Sequence, residues 1–206
     1  MEQAATWTTV ADHVTLNTVA EALAANGMTP HVVADRGEAV DRVLSLIDDG
    51  QEVMTATSET LQAIGLATLI DESTKFQSIR RRIAELAQSE QRAQMRRLTS
   101  AADVVIGSVH ALTRDGQALI ASNSGSQLGM YAFTAARVIW VVGAQKIVPD
   151  IDAARRRVTE HVFPLEDQRM HKAYGMPSSI SKELVVSREI VPDRIHVVLV
   201  NEPLGF

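Results

Sequence analysis

The sequence contains no cysteine. Disulfides, thiolate-ligated iron–sulfur clusters, Cys-type zinc sites and a cysteine nucleophile are therefore excluded for this chain. The same absence fits a reducing compartment, and a cytoplasmic location is expected. Long apolar runs are missing too. The longest, "VIWVVGA" (138–144), falls far short of the roughly 20 residues that span a bilayer, so no membrane insertion is expected. "MEQAATWTTV" has an acid at position 2 and no basic stretch ahead of an apolar core, and does not read as a signal peptide. Positive charge is in deficit: 20 Lys and Arg stand against 25 Asp and Glu, for a net charge of −5. Such a chain is not drawn to nucleic acid or to an anionic membrane surface. One segment runs the other way. "SIRRRIAELAQSEQRAQMRRL" (78–98) holds Arg80, Arg81, Arg82, Arg92, Arg96 and Arg97, diluted by Glu85 and Glu90. Its Ile79, Ile83 and Leu86 mark an apolar stripe, so it reads as a solvated helix face or as an anion-attracting surface.

What is present is enough for one domain. At 206 residues and 46% hydrophobic, the chain can bury a substantial core without covalent or metal staples. "HVVA" (31–34), "EVMTA" (52–56), "ADVVIGSV" (102–109), "GQALIAS" (116–122) and "RVIWVVG" (137–143) are β-branched, bounded by Gly, Asp or Ser, and predict strands. "VADHVTLNTVAEALAANG", "GEAVDRVLSLIDDG" and "DIDAARRRVTEHV" predict helices, the first two ending at Gly27 and Gly50. Two further strands, "KELVVSREIV" and "RIHVVLVN", joined by "PDR", close the chain. Strands alternating with helices predict an α/β domain with a mostly parallel sheet flanked by helices. "HALTRD", between the strands at 102–109 and 116–122, suggests a local antiparallel excursion.

Polar residues gather at two handovers. In "TATSETLQAIG" (55–65) a strand gives way to helical spacing through Thr57, Ser58, Glu59 and Thr60. Ser58 is placed to cap the helix, or to join its free N–H groups in holding a phosphate or carboxylate. Glu59 is expected to point outward as a first-turn acid, the alternative being a general base if burial raises its pKa. "SNSGSQLGM" (122–130) follows a strand. Gly125 permits a close backbone approach, and Asn123, Ser126 and Gln127 supply donors and acceptors. Its G-x-x-x-G spacing is no dinucleotide fingerprint. Lys146, one of four lysines, follows an apolar strand and could meet an anion as a point charge. Thr113 lies on the excursion beside Arg114 and Asp115, where a turn is expected. The histidines (13, 31, 110, 161, 171 and 196) lack metal-ligand spacing, and no G-x-S-x-G elbow is present, so neither metal nor cofactor is expected and no catalytic residue is assigned.

Several short motifs, in order, resemble the LUD-domain family of the lactate-utilisation protein C type. They are "SETL" (58–61), "ALT" with Asp115 and Gly116 (111–116), "VVG" with "KIV" (141–148) and the terminal "LGF". The resemblance runs from about Leu16 to Phe206 and treats residues 1–206 as one domain. It implies a fold like that of ribose-phosphate isomerases, glucosamine-phosphate deaminases and CoA-transferases. In that group a polar turn after an early strand holds a phosphate or carboxylate, faced by a glycine-rich loop across the carboxyl edge of the sheet. The residues and the resemblance together give a candidate ligand site of Thr57, Ser58, Glu59, Thr60, Thr113, Asn123, Gly125, Ser126, Gln127 and Lys146. It also implies iron–sulfur oxidoreductase subunits as partners in the oxidation of L-lactate to pyruvate. Many members carry a cysteine-rich stretch before the last strands. Here that stretch is "HKAYGMPSSISKELVVSREIV", with Ser178 and Ser179 and no cysteine. The expected role is a non-redox subunit or accessory protein that binds a small anion. The alternative is an independent enzyme acting on a phosphorylated or acyl substrate.

Overall fold

The computed structural model describes residues 7–86 and 88–206, with side chains at all of these but 88–92. Its centre is a sheet of six strands, all parallel. In chain order these are β1 (Thr29–Val33), β2 (Glu52–Thr55), β3 (Gln77–Ser78), β4 (Val104–Gly107), β7 (Arg137–Gly143) and β10 (Ile195–Val200). Across the sheet they lie β1-β10-β7-β4-β2-β3. Every residue of β4 and β10 is buried, as are six of the seven in β7. That is why these strands read as near-continuous Val and Ile runs.

Side-chain alternation divides the core between the two faces. Val105, Val138, Trp140, Val142, Val197 and Leu199 pack on one side with Leu16, Val19 and Leu23 of helix α1 (His13–Ala25). Val104, Ile106, Ile139, Val141, Val198 and Val200 pack on the other. There they meet α2 (Arg36–Ser45), α3 (Glu59–Ala63) and α4 (Leu66–Glu72) through Val43, Leu61, Leu66 and Ile70. The helix expected after Ser58 breaks in two because Gly65 takes a left-handed φ of 70°. Leu69, beyond the break, is exposed.

The excursion is larger than the sequence suggests. It is a second sheet of four strands, ordered β8-β5-β6-β9, from Ile147–Val148, Ala111–Thr113, Ala118–Ser122 and Lys182–Val186. The expected antiparallel excursion is β5 with β6, so its first strand lies inside what reads as the connection, and β6 also pairs antiparallel with β9. The two tail strands part company: β9 pairs with β6, whereas β10 enters the main sheet between β1 and β7. Helix α7 (Ile151–Arg157), capped by Asp150, covers this second sheet through Ala153, Ala154 and Val158. It continues through a wide π-helical turn (Val158–Val162) into α8 (Phe163–Tyr174). Pro164 near the start of α8 has no N–H to give the preceding turn, which accounts for the widening. The arginine-rich segment forms two helices, α5 (Ile79–Ala84) and α6 (Gln88–Thr99), rather than one. Glu90 and Arg92 fall outside the described side chains.

Candidate functional site

Strands β2, β4 and β7 end at one edge of the main sheet, and the residues that follow them build a cavity of about 470 Å³. The carboxyl edge of a parallel sheet is where ligands ordinarily bind, since the chain reversals there leave a crevice. The turn after β2 contributes Thr57, Ser58, Glu59 and Thr60; the loop after β6 contributes Asn123, Ser126 and Gln127. The two polar segments singled out in the sequence thus face one space. The α7–α8 rod supplies the opposite wall with Val158, Val162, Phe163 and Met170, so the cavity is polar at one end and apolar along its side.

Two of the sequence-derived candidates stand elsewhere. Thr113 does not line the cavity; it is fully buried in the β5–β6 turn, where its hydroxyl donates to Asp115 and accepts from Gln117 N at 2.8 Å. Gly125 is not part of the lining either. Its φ of 81° shapes the loop, which Ser122 Oγ secures by accepting from Gly125 N at 2.9 Å. Glu59 is turned toward the cavity instead of outward, 3.7 Å from Arg169 Nε, and Arg169 is also paired with Glu166 at 2.7 Å. Ser58 acts as the helix cap, its Oγ accepting from Leu61 N at 3.4 Å. With only five residues, α3 has little aligned dipole to offer an anion.

The positive charge comes from side chains. Lys146, on a short 3₁₀ turn after β7 and 3% exposed, donates to Thr60 Oγ1 (2.8 Å), Ser108 Oγ (3.1 Å) and Val109 O (3.2 Å). Burial, and secondarily the cation of Arg157, push its pKa well below the usual lysine value. Three acceptors oppose that shift by stabilising an ammonium. The hydroxyls can rotate, however, so the uncharged amine is satisfied equally well, and burial prevails. Arg80 reaches in from α5, its Nη2 donating to Thr55 O at 2.7 Å and to Thr57 Oγ1 at 3.2 Å. No ion pair among the described residues involves Lys146, Arg80 or Arg157.

Sequence reading missed Arg80, Ser108, His110 and Tyr131, all of which line the cavity. Ser108 and His110 lie just past a predicted strand, at the edge where site residues collect, and that position was the available signal. Tyr131 lies under the site, where a Cβ on Gly107 would overlap its hydroxyl. Nothing in the sequence separates Arg80 from its neighbours: Arg81 donates to Asp71 O, and Arg82 pairs with Glu52. The terminal "LGF" also acquires a reason. Leu204 O accepts from Thr60 Oγ1 and Gln145 Nε2, while Gly205, at φ 67°, lies where any Cβ would overlap Thr60. Among the described residues, no group of three or more His, Asp or Glu could hold a metal ion.

These features define an α/β protein with a mixed polar and apolar cavity at the carboxyl edge of a six-stranded parallel sheet. The LUD domain model matches residues 16–200, and the chain belongs to that family. Among solved structures, a DUF162 family protein from Deinococcus radiodurans superposes with a TM-score of 0.56. It is 14% identical, and the alignment covers 93% of this chain and 99% of that one, a likeness of fold. The eIF2B beta subunit from Chaetomium thermophilum aligns over 56% of this chain and 43% of its own, at 14% identity and a TM-score of 0.38. Comparison with curated proteins gives no match.

Proposed function

We propose that the cavity binds a small organic anion and that the protein serves lactate utilisation as a non-redox subunit or accessory protein beside iron–sulfur partner subunits. The family supports the setting. The absence of cysteine assigns any cluster to the partners, because this chain has no thiolate to ligate one. The observation that carries the anion is Arg80: a half-buried guanidinium at the cavity wall whose partners among the described residues are a carbonyl and hydroxyls, not a carboxylate. An anion arriving there gains a charge-assisted hydrogen bond without displacing an internal ion pair.

Calorimetric titration with phosphate, lactate, a sugar phosphate and CoA tests the reading. Phosphate alone should bind weakly, with a Kd on the order of 1 mM, because both partners must be desolvated. Ligands with a further body to bury against Val162 and Phe163 should bind more tightly. Arg80→Met should weaken binding by about tenfold or more, the loss of one charge-assisted contact. Ser58→Ala should chiefly cost stability, by roughly 1 kcal/mol or less. If Arg80→Met leaves every affinity unchanged, the site assignment fails.

A further inference from the structure

Ser108 and Lys146 meet on the cavity floor, with 3.1 Å between Oγ and Nζ. Ser108 is the first residue beyond β4 and half-buried, while Lys146 beside it in the lining is buried. The hydrogen bonds around Nζ decide what this contact can do. Val109 O can only accept, so it takes one N–H. Thr60 Oγ1 has an acceptor of its own in Leu204 O at 3.2 Å, which leaves its oxygen to accept a second. The Ser108 hydroxyl proton has three places to go, Val141 O at 2.7 Å, Val109 O at 3.3 Å or Nζ at 3.1 Å. On an uncharged amine the remaining position is a lone pair, and it points at Ser108 Oγ. Among the described residues no carboxylate pairs with Lys146 to hold it charged, and the nearby Arg157 cation disfavours a second positive charge.

We propose that Ser108 is a nucleophile and Lys146 its base, and that the cavity hydrolyses a small ester or thioester carrying an anionic group. The anionic group rests on the Arg80 reading above; the nucleophile does not. A serine hydroxyl is a weak nucleophile until an adjacent base takes its proton, and lysine serves as that base on several unrelated folds. Ser108 Oγ bonds to the acyl carbon as its proton passes to Lys146 Nζ. The tetrahedral oxyanion then collapses, the bond to the alkoxide or thiolate breaks, and the leaving group takes the proton back from Nζ. Water attacks the acyl-serine in the same way and releases the acid. The oxyanion needs donors. His110 supplies one: its Nδ1 accepts from Ala121 N at 3.0 Å, so the neutral ring carries its proton on Nε2. Arg80 lines the same space.

The test is covalent labelling of the intact protein with an alkyl fluorophosphonate, followed by intact mass and peptide mapping. One adduct per chain is expected, on Ser108, and none on Ser108→Ala. A folded Lys146→Met should label at least about 100-fold more slowly, the usual contribution of a general base. A lysine that merely ties strand ends together would alter melting temperature without changing that rate. Should Lys146→Met fail to fold, the wild-type adduct map still decides. Wild-type protein that stays unlabelled, or carries the adduct elsewhere, overturns the proposal, as does a folded Lys146→Met labelling at the wild-type rate. Phosphate titration of Ser108→Ala keeps the two readings apart, since anion binding through Arg80 should survive loss of the hydroxyl.

Discussion

At His110 one backbone contact settles where the proton lies, and its surroundings settle whether a second can be added. Burial above all, then Lys146 in its protonated form and the charge of Arg157, push its pKa down to about 3 from 6.5. The unfolded chain therefore takes up a proton near pH 6.5 that the folded chain refuses. Stability is intact above that pH and falls as pH drops from about 6.5 toward 3, by at most about 1.4 kcal/mol per unit. His31 and His196, also pushed down by burial, act in the same direction. His110→Asn keeps an acceptor for Ala121 N–H and removes the titration. Urea unfolding between pH 7 and 4 should give it a flatter profile than wild type; parallel profiles would contradict the assignment. Arg194 is the second residue on which much depends. It donates to Ala135 O, Met130 O and Tyr131 O and pairs with Glu189, both side chains being nearly buried. Arg194→Met leaves the nearly buried Glu189 carboxylate without its cation and takes a donor from three carbonyls, and should cost about 3–5 kcal/mol by denaturant unfolding. Residues of this kind are hard to recognise in advance. Lys146 could be picked out as one of four lysines after an apolar strand. Arg80 could not, because "RRR" at 80–82 gives no clue that one points to a cavity and the others to a carbonyl and a carboxylate. That distinction exists only once β2 and α5 are packed together.

Among the elements, the inner strands β4, β7 and β10 were legible because burial on both faces demands Val and Ile at nearly every position, whereas the two-residue edge strand β3 was not. Helices α1, α2 and α7 were legible from an apolar stripe and a capping aspartate or glycine. Helix α8 was not: it buries no residue, so "FPLEDQRMHKAY" carries no stripe to find. The second sheet stayed hidden for a related reason. Its strands are two to five residues long, and β9 looks like a partner for β10 in sequence although it pairs with β6 in space. The short helices at the site show how local geometry is fixed. Gly65 and Gly205 both have left-handed φ, but a Cβ at Gly65 meets nothing within 4 Å whereas one at Gly205 runs into Thr60. Gly65→Ala should cost about 1 kcal/mol, the backbone penalty alone. Gly205→Ala should cost more, about 2–3 kcal/mol, by adding displacement of Thr60 from Lys146. Thermal melts of the two variants side by side test this, and equal losses would mean the tail is not seated on Thr60.

For the whole molecule, an acidic chain encloses a cavity whose wall carries the Arg80 guanidinium. Any anion is therefore drawn by groups at contact distance and not by the general field, which at −5 opposes it. The purified chain should be colourless, with no cluster absorption and no stoichiometric iron, since it has no thiolate to bind iron–sulfur. A visible band with bound iron would refute this. The strand order has a further consequence, for synthesis. β1 is made from residues 29–33, yet its partner in the sheet is β10, residues 195–200. Until those last residues leave the ribosome, β1 has no neighbour and β7 shows a bare apolar edge, the kind of surface that recruits other chains. The nascent protein must carry an unpaired β1 from residue 33 onward, and the open edge of β7 from residue 143, until β10 follows. Its yield in the cell should then depend on chaperone supply and elongation rate far more than its final stability would suggest.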